Sequence, residues 1–382
     1  MVRKNVLHVI TVSFAINHFF GNQFKYLKKK TNNVYHLVCT PSEDFLSLSE
    51  SLEYIPYPLV VNRDISLFKD FIAVVKLFFY IKKNKIEVVV GHTPKGGLVA
   101  MLAAFLSGCK KRIYFRHGLV YETSKGWKKQ LLKNIERFSG ALATQVVCVS
   151  NSVKEISEKD RLSKISKNIL LGKGTCNGVD ALCRFNPENF DDLELSILRN
   201  KIDINQGDFV VGYVGRLVKD KGIIELLDAW KILLNQNKKI KLLLVGPLEK
   251  RDSIPEDYVE FINNEKSIIY TDFVIDSSPY FKLMDIFVLP TYREGFPTVS
   301  LEASSMKIPV LITKATGCAE SILEDITGKF ISHNPDEIAD KIKSYMQNPR
   351  ERALHGENGR NFVLDNFEQT IVWDIIYKEL NI

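Results

Sequence analysis

Short apolar runs rich in valine and isoleucine alternate with amphipathic stretches along the first half of this 382-residue chain. Such an alternation predicts parallel strands connected by crossover helices, and therefore a doubly wound α/β sheet. We predict strands near residues 5–12, 34–39, 53–57, 86–91, 111–116, 145–149 and 168–172. We predict helices near residues 22–30, 66–84, 95–107, 127–142 and 151–158. The same alternation returns between residues 208 and 348, so two such sheets are expected.

The length of the chain also indicates two domains, because it exceeds the usual size of one and leaves each half enough residues for a core. We predict a Rossmann-like domain over residues 1–180, a linker over 181–207 and a second α/β domain over 208–366. A glycine-rich segment, 172–180, marks the approach to the linker. The last stretch, 367–382, is amphipathic and is predicted to be a helix.

An apolar run at residues 285–290 predicts a buried strand, which a glycine-containing loop connects to a helix. The loop and the first helical turn consist of Glu294, Gly295, Phe296, Pro297, Thr298 and Val299. Free N–H groups and the positive end of the helix dipole converge at such a helix start, so it suits an anion. Glu294 and Glu302 flank this point, and carboxylates accept hydrogen bonds from sugar hydroxyls but repel a bare phosphate. The pattern indicates a sugar nucleotide; taken alone, it also fits an ordinary strand–loop–helix with solvated glutamates.

A second strand, at residues 210–214, ends at Gly215 and Arg216 and is followed by Lys221 and a helix over 223–234. Arginine supplies a forked set of donors and lysine a mobile point charge, a combination that suits a diphosphate. No Asp-x-Asp sequence follows a strand in a context that indicates a metal-bound diphosphate. The six cysteines and seven histidines show no metal-ligand spacing either. We therefore expect no metal and no bound cofactor, with these cations and the helix start neutralising a diphosphate leaving group.

Together these two stretches resemble the retaining glycosyltransferases of the GT-B fold, specifically family 4 of bacterial sugar transferases. The resemblance rests on the G-R-x4-K-G pattern from Gly215 to Gly222 and on the E-x7-E spacing from Glu294 to Glu302. It is close over most of the second domain and looser in the first. It implies two Rossmann-like domains that face a cleft, with a helix at 367–382 that crosses back and packs on the first domain.

The resemblance implies a role for each site residue. Arg216 and Lys221 would bind the diphosphate, Glu294 the hydroxyls of the donor sugar and Glu302 the ribose. Backbone groups that contact the donor are expected at Gly215, Gly295, Phe296, Pro297, Thr298 and Val299. His117, at the end of a predicted strand, would face the donor sugar and act in catalysis with Arg216, Lys221 and Glu294. The alternative for His117 is a histidine that is only hydrogen-bonded at a strand end.

Three further positions, Gly21, His92 and Gly246, are candidates for lining the donor or acceptor cleft. For His92, which follows a predicted strand, acceptor positioning and a structural role are equally good interpretations. Gly21 stands where the family has a pair of glycines, and that pair is absent here. Gly246 is either a wall of the base pocket or part of an ordinary turn. Asp272 lies where the family commonly has glycine, so its side chain would either alter base preference or point outward.

The function that these features imply is retaining transfer of a hexose or N-acetylhexosamine from a nucleotide-diphosphate sugar, with a UDP-sugar favoured. The resemblance implies that the acceptor hydroxyl belongs to a growing, lipid-linked surface polysaccharide such as a capsule or O-antigen. A sugar-nucleotide epimerase and a non-catalytic subunit are alternatives that share the fold. The Glu294–Glu302 motif and the basic first domain disfavour the epimerase, and the intact cations and carboxylates disfavour the non-catalytic subunit. A Rossmann dehydrogenase is disfavoured because no G-x-G-x-x-G follows the first strand.

Charge is distributed unevenly between the two halves of the chain. Residues 1–190 hold 29 lysines and arginines against 14 acidic residues, a net charge of +15, whereas residues 191–382 hold 23 against 31, a net charge of −8. This asymmetry predicts that the first domain faces an anionic surface. A membrane fits better than nucleic acid, because the basic residues lack interleaved aromatic residues and lie on no recognisable reading helix.

Two predicted helical segments, 68–85 and 125–137, place basic residues beside apolar ones. We expect them to attach the chain peripherally to the anionic inner face of the cytoplasmic membrane. The alternative is that their apolar residues face the sheet and their lysines are solvated. The unpaired cysteine spacing is typical of a reduced, cytoplasmic protein. No run approaches the roughly 18 apolar residues of a membrane-spanning helix.

Overall fold

The computed structural model describes residues 3–61, 66–234, 239–250 and 252–382. It divides into two compact units. The first comprises Met1–Gly178 together with Gln369–Ile382, and the second comprises Val179–Glu368. Each unit is built on one parallel β-sheet.

The sheet of the first unit has seven strands among the residues described. They are β1 (Asn5–Val9), β2 (Val34–Cys39), β3 (Ile55–Pro58), β4 (Val88–His92), β5 (Lys111–Arg116), β6 (Gln145–Cys148) and β7 (Asn168–Leu170). Their order is β3-β2-β1-β4-β5-β6-β7, and Val6 of β1 is in register with Val88 of β4. The strand order therefore reverses between β1 and β4, which is where ligands bind in doubly wound sheets, beyond the carboxyl ends of the strands.

Helices connect these strands and cover the sheet. They are α1 (Ala15–Phe19), α2 (Gln23–Thr31), α3 (Glu43–Ser51), α4 (Leu67–Lys83), α5 (Pro94–Leu106), α6 (Gly126–Leu142) and α7 (Asn151–Lys159). Consecutive strand residues point to opposite faces. Val88, Val89 and Val90 are all buried, so both faces of the sheet are covered.

The second unit has a six-stranded sheet. Its strands are β8 (Phe209–Val214), β9 (Ile240–Val245), β10 (Ile268–Tyr270), β11 (Ile286–Leu289), β12 (Val310–Thr313) and β13 (Gly328–Ile331), in the order β10-β9-β8-β11-β12-β13. The order reverses between β8 and β11, where Val211 is in register with Ile286. This pair of strands marks the second place at which a ligand is expected.

Seven helices surround this second sheet in the part of the chain that is described. They are α8 (Asp192–Lys201), α9 (Ile223–Leu234), α10 (Glu256–Asn264), α11 (Ser278–Phe281), α12 (Thr298–Ser305), α13 (Pro335–Gln347) and α14 (Pro349–Asn366). Trp230 of α9 is fully buried, and its indole N–H donates to Ser267 Oγ at 3.0 Å. The core of this unit therefore satisfies its one buried indole while excluding water from the sheet.

The last helix, α15 (Gln369–Leu380), belongs to the first unit and packs on α2. The Tyr26 hydroxyl donates to Asp374 Oδ1 at 2.6 Å, and the same carboxylate pairs with Lys30. Trp373 Nε1 donates to Asn177 Oδ1 at 2.8 Å. The C-terminal residues thus return to the unit in which the chain begins.

The doubly wound class is confirmed, and most predicted elements fall within two residues of the observed ones. The first strand is an exception, since it ends at Val9 instead of residue 12. Residues 181–207 do not form a linker but lie within the second unit, where Phe185 and Ile204 are buried in its core. The predictions also omitted α3, although its Ser42 cap accepts from the Phe45 N–H at 3.2 Å and acidic residues follow in its first turn.

Candidate functional site

The two predicted motifs of the second unit meet at the carboxyl edge of its sheet. β8 ends at Val214 and leads into Gly215, and β11 ends at Leu289 and leads into the loop before α12. Because β8 and β11 are neighbouring parallel strands, their following segments must lie side by side. Motifs that are about eighty residues apart in the chain therefore form one site.

An ion pair joins the two motifs directly. Lys221 Nζ lies 2.5 Å from Glu294 Oε1, and both side chains are mostly buried. The sequence motifs predict that the lysine binds the diphosphate and the glutamate the donor sugar, but they do not predict the contact between the two. The structure shows that the two opposite charges neutralise each other at the carboxyl edge.

The segment around Lys221 is also held to the loop by Asp220. Arg293 Nη2 lies 2.8 Å from the Asp220 carboxylate, and the Tyr292 N–H donates to the Asp220 carbonyl at 3.1 Å. Thr291 Oγ1 donates to the same carbonyl at 3.3 Å. The sequence motifs do not point to Asp220 and Arg293, whose signal is that opposite charges stand beside the two motifs. Their contacts position Lys221 and Glu294 relative to each other.

Two glycines allow the backbone to approach this closely. Gly222 has a φ of 70°, and a Cβ there would lie 1.9 Å from the carbonyl oxygen of Pro290. Gly317 has a φ of 80°, and a Cβ there would lie 2.4 Å from the carbonyl oxygen of Gly295. Next to Gly317, the Thr316 carbonyl accepts from the Glu294 N–H at 2.9 Å. Any side chain at either glycine would displace the loop that carries Glu294.

The helix α12 begins at this point, directly after Pro297. Proline lacks an N–H group and has a fixed φ, so its position before the first turn costs the helix no hydrogen bond. Ser300 Oγ donates to the Pro297 carbonyl at 2.6 Å, which holds the turn closed. Thr298 and Val299 stand at the start of α12, and the positive end of the helix dipole favours an anion at such a helix start.

Glu302 lies one turn into α12 and is half-buried. Burial raises the pKa of this carboxyl to about 7, with the charge of Arg184 lowering the pKa and that of Asp276 raising it. Arg184 and Asp276 pair with each other at 3.0 Å. Glu302 is therefore close to half-ionised at neutral pH, and hydrogen bonds from a ligand's hydroxyl groups would favour the ionised form.

Arg216 pairs with a different carboxylate. Its Nη1 lies 2.9 Å from Glu249 Oε2, and its carbonyl accepts from the Tyr213 hydroxyl at 2.8 Å. The side chain of Arg216 is more exposed than that of Lys221. The two predicted diphosphate cations are thus held by separate anions, and Glu249 is a neighbour that the sequence analysis did not name.

Gly215 and Gly246 lie against each other at the ends of β8 and β9. A Cβ at Gly246 would lie 2.1 Å from the carbonyl oxygen of Gly215, and the Gly246 N–H donates to the Asp272 carbonyl at 3.0 Å. Asp272 has a left-handed backbone, with a φ of 57°. The conformation explains why glycine suits this position, and the Asp272 side chain compensates by accepting from the Phe273 N–H at 2.8 Å.

In the first unit, three histidines form a hydrogen-bonded chain across β1, β4 and the end of β5. His8 Nδ1 lies 3.0 Å from His92 Nε2, and His92 Nδ1 lies 2.9 Å from His117 Nε2. Phe19 stacks on His117 with 4.2 Å between ring centroids. His92 is only 2% exposed, so it does not line a surface; it contacts His117 from the buried side through this hydrogen bond. The sequence predicts His92 and His117 as site candidates but gives no signal for His8.

Burial keeps these rings neutral. It lowers the pKa values of His8 and His117 to about 3, and His18 adds to the lowering at His117. The pKa of His92 is also well below its ordinary value, through burial and then through its two histidine neighbours. A neutral imidazole has one N–H, so the proton position on any one ring determines the positions on the other two. Within this row of hydrogen-bonded histidines, His117 is therefore an uncharged hydrogen-bonding group.

Gly21 stands in the tight turn between α1 and α2, with a φ of 47°. Beside it, Asn177 Nδ2 donates to the His18 carbonyl at 3.1 Å. The structure therefore gives Gly21 a place in a turn close to the histidines, whereas its predicted role in approaching a phosphate stays a prediction. Within the described ranges, no group of three or more potential ligands is placed to hold a metal ion.

Two parallel α/β sheets of this kind define the GT-B class of glycosyltransferase folds, and solved structures agree. A glycosyltransferase from Rickettsia africae ESF-5 matches with a TM-score of 0.81 at 20% identity, covering 99% of both chains. Anabaena HepE in complex with UDP-glucose matches with a TM-score of 0.81 at 17% identity, again over 99% of both chains. At these identities the likeness establishes the fold.

The chain belongs to glycosyltransferase family 4. The profile described as Glycosyltransferase Family 4 matches residues 22–166, and that of Glycosyl transferases group 1 matches residues 196–362. The capsular polysaccharide biosynthesis glycosyltransferase CapM of Staphylococcus aureus is 35% identical over 98% of this chain and 96% of its own length. An Escherichia coli UDP-Gal:alpha-D-GlcNAc-diphosphoundecaprenol alpha-1,3-galactosyltransferase is 28% identical over 87% of this chain and 84% of its own. The family assignment made from the two motifs is confirmed.

Proposed function

We propose that this chain transfers a hexose or N-acetylhexosamine, with retention, from a UDP-sugar to a hydroxyl group of a lipid-linked saccharide in capsule or O-antigen synthesis. The observation that carries the proposal is the convergence of Lys221, Glu294 and the start of α12 at one sheet edge. A cation, a carboxylate and a helix N-terminus are together what a diphosphate joined to a sugar requires. The names of relatives that act in capsule synthesis and on a diphosphoundecaprenol-linked sugar support the acceptor class.

In the proposed reaction, the bond between C1 of the donor sugar and the diphosphate oxygen breaks, and its electron pair leaves with the diphosphate. The acceptor oxygen forms the new bond to C1 on the same face, and its proton passes to an oxygen of the leaving diphosphate. Arg216, Lys221 and the N–H groups of α12 stabilise the charge that develops on the leaving group. Glu294, released from Lys221, accepts from the donor-sugar hydroxyls, and Glu302 accepts from the ribose. No step requires a metal ion.

The experiment that tests the proposal combines donor screening with product analysis. Calorimetry should show binding of UDP and of one UDP-sugar, and the preferred sugar should appear on an undecaprenyl-diphosphate-linked acceptor. The anomeric proton coupling of the product should match that of the donor. An inverted coupling would contradict retention, and failure of every nucleotide sugar to bind would contradict the function itself.

We also propose that the first unit docks on an anionic membrane through α4 and α6. Several of their apolar side chains do not face the sheet, since Phe71 is 66%, Phe79 64% and Trp127 78% exposed, and this exposure supports docking. Lysines beside them on α4 and α6 are exposed as well, and each contributes about 1 kcal/mol near an anionic leaflet. No helix among the described residues is long and apolar enough to cross a bilayer.

Trp127 provides a native probe for this docking. The other two tryptophans, Trp230 and Trp373, are 0% and 5% exposed. Anionic vesicles with brominated acyl chains should therefore quench the fluorescence of Trp127 and not that of the two buried tryptophans. The quenching should be absent in Trp127→Phe and weaker in high salt. Equal quenching by neutral vesicles would remove the role of the lysines, and no quenching would contradict docking through α6.

A further inference from the structure

The first unit contains an apolar groove between α4, α5 and α6. Its volume is about 730 Å³, within the range of about 300–1,000 Å³ that is usual for ligand pockets. The α4 and α5 walls include Phe71, Val75, Phe79, Leu98, Leu102 and Leu106. Among the described residues that line the groove, only Asp70 and Asn134 are polar, and Asp70 is already paired with Lys95. The groove therefore offers a ligand almost nothing but hydrocarbon contact.

The groove is distinct from the hydrophobic core beneath it. On α4, Ala73, Leu77 and Ile81 are buried against the rest of the unit, whereas Phe71 and Phe79 stand out from it. Apart from Lys95 in its first turn, α5 consists of proline, glycine and apolar residues, so the rest of the side turned away from the sheet is apolar. An exposed apolar surface of this extent is unusual for a chain that does not bind something there.

One end of the groove lies at the edge of the sheet that carries the histidines. Crossover helices run opposite to the strands that they connect, so α4 and α5 both begin at the carboxyl edge. The α5 helix starts two residues after His92, and the Lys95–Asp70 pair joins the first turns of the two helices. From Lys95 to Leu106 the helix rises about 17 Å, so the groove extends well away from that edge.

We propose that this groove holds the hydrocarbon chain of the lipid-linked acceptor, with the charged head of the lipid at the Lys95 end. The proposal rests on the proposed function and adds a site for a part of the substrate that the sugar-transfer chemistry does not touch. Lys69, which is exposed in the first turn of α4, complements an anionic head at that end, and the apolar lining complements the hydrocarbon chain. An extended peptide is a poorer occupant, because its backbone N–H and C=O groups would find almost no partners in the groove.

Calorimetry on the full chain tests the proposal, with a fifteen-carbon prenyl phosphate as the probe, kept below its micellar concentration. The prenyl alcohol of the same length and inorganic phosphate are the comparison ligands. We expect saturable binding of one molecule for both prenyl compounds, tighter for the phosphate, and none for inorganic phosphate. Binding of inorganic phosphate alone, or of neither prenyl compound, would overturn the proposal.

The variant Leu102→Trp fills the middle of the groove and should weaken prenyl phosphate binding by at least about tenfold. Ile165→Trp is the matched control, because Ile165 is exposed on the same unit but does not line the groove, and it should bind like the wild type. If Leu102→Trp does not fold, Leu106→Glu serves instead, since Leu106 is 56% exposed at the far end of the groove. It should abolish the gain in affinity between ten-carbon and fifteen-carbon chains.

UDP binding in the same samples separates this proposal from the function on which it rests. Leu102→Trp should retain the UDP affinity of the wild type, because the predicted donor site lies in the second unit. Loss of prenyl binding with intact UDP binding supports the groove as the chain site. If Leu102→Trp binds prenyl phosphate like the wild type, the hydrocarbon chain does not occupy the groove, and the glycosyltransferase proposal is unaffected. Wild-type protein that binds prenyl phosphate but no UDP or UDP-sugar would contradict the proposed function instead.

Discussion

The two sheets place their candidate site residues at the same topological position but with opposite chemistry. At the β8–β11 reversal, charged side chains are paired with one another, Lys221 with Glu294 and Arg293 with Asp220. At the β1–β4 reversal, the residues are the neutral histidines His8 and His92. A shared fold therefore fixes where a site lies, whereas the burial and ion pairing of its side chains decide what the site can recognise.

The largest expected effect comes from removing the cation of the charged site. Lys221→Ala should weaken binding of UDP and lower turnover by about 2–4 kcal/mol each, because a partly buried diphosphate loses a charged partner. Calorimetry and a transfer assay measure the two effects. Lys219→Ala is the matched control, since Lys219 is an exposed lysine two residues away. Wild-type UDP affinity in Lys221→Ala would remove the lysine from the diphosphate site.

Substitution of each glutamate of the charged site should affect turnover and UDP binding in a different ratio. Glu294→Gln should lower turnover by about 1.5–3 kcal/mol without weakening UDP binding, because UDP lacks the donor sugar and the variant loses the carboxylate that competes for Lys221. Glu302→Gln should weaken both to a similar extent, because the ribose belongs to both ligands. The exposed Glu324→Gln serves as the control. The same ratio of the two effects in both variants would show that the assignment of sugar and ribose is wrong.

Because its histidines are buried in the neutral form, the neutral site should lower the free energy of unfolding in acid. Burial lowers the pKa of His8 to about 3 in the folded chain from its ordinary value of 6.5, so the unfolded chain binds the extra proton below pH 6.5. Stability is therefore present above pH 6.5 and lost as the pH falls, by about 2 kcal/mol per ring between pH 7 and pH 5. His8→Leu should remove about one ring's share of that loss, measured by denaturation at both pH values.

Tyr35→Phe is the control for the histidine measurement, because Tyr35 is a buried ring near His8 that does not titrate in this range. It should change stability by the same amount at pH 7 and at pH 5. A wild-type chain whose stability does not fall between these pH values would show that the three rings are not held neutral.

The smallest expected effect is a pH dependence of ligand binding, and not of stability, in the charged site. The pKa of Glu302 is raised to about 7, so the ionised form, which accepts from the ribose, is scarce at pH 6 and dominant at pH 8. UDP-sugar affinity should rise by about tenfold over that interval and then level off. Glu302→Gln should show no such rise in calorimetry. A wild-type affinity that is flat from pH 6 to pH 8 would contradict the role of Glu302.

Much of the architecture could be predicted because the signals are local. β-branched runs separated by amphipathic helices determine a parallel sheet, and the Gly215–Gly222 and Glu294–Glu302 spacings belong to single loops and helix starts. What could not be predicted depends on pairs that are distant in the chain. The Asp220–Arg293 pair, the packing of Gly317 on Gly295 and the place of His8 beside His92 appear only when the strand order is known.

The predicted linker shows the same limit in another way. The residues between 181 and 207 are polar enough to resemble a connection, yet Phe185 packs in the second core and its carbonyl accepts from Ser305 Oγ at 2.7 Å. Sequence composition does not show that four buried residues, Phe185 and Ile204 among them, hold a largely polar segment in the core. Similarly, the exposed Phe71 and Phe79 on α4 cannot be distinguished in the sequence from the buried Leu77 on the same helix.

The Lys221–Glu294 contact also has a consequence for the order of events in a catalytic cycle. Under the proposed function, the donor replaces this contact with one between lysine and phosphate and one between carboxylate and sugar hydroxyls. Once the sugar has moved to the acceptor, Glu294 has lost its partners while the diphosphate still holds Lys221. Re-forming the 2.5 Å contact then competes with the spent nucleotide for the lysine. Glu294 would thus act as a built-in counter-ion of Lys221. It would lower the affinity for the nucleotide diphosphate relative to the sugar nucleotide and favour release of the product.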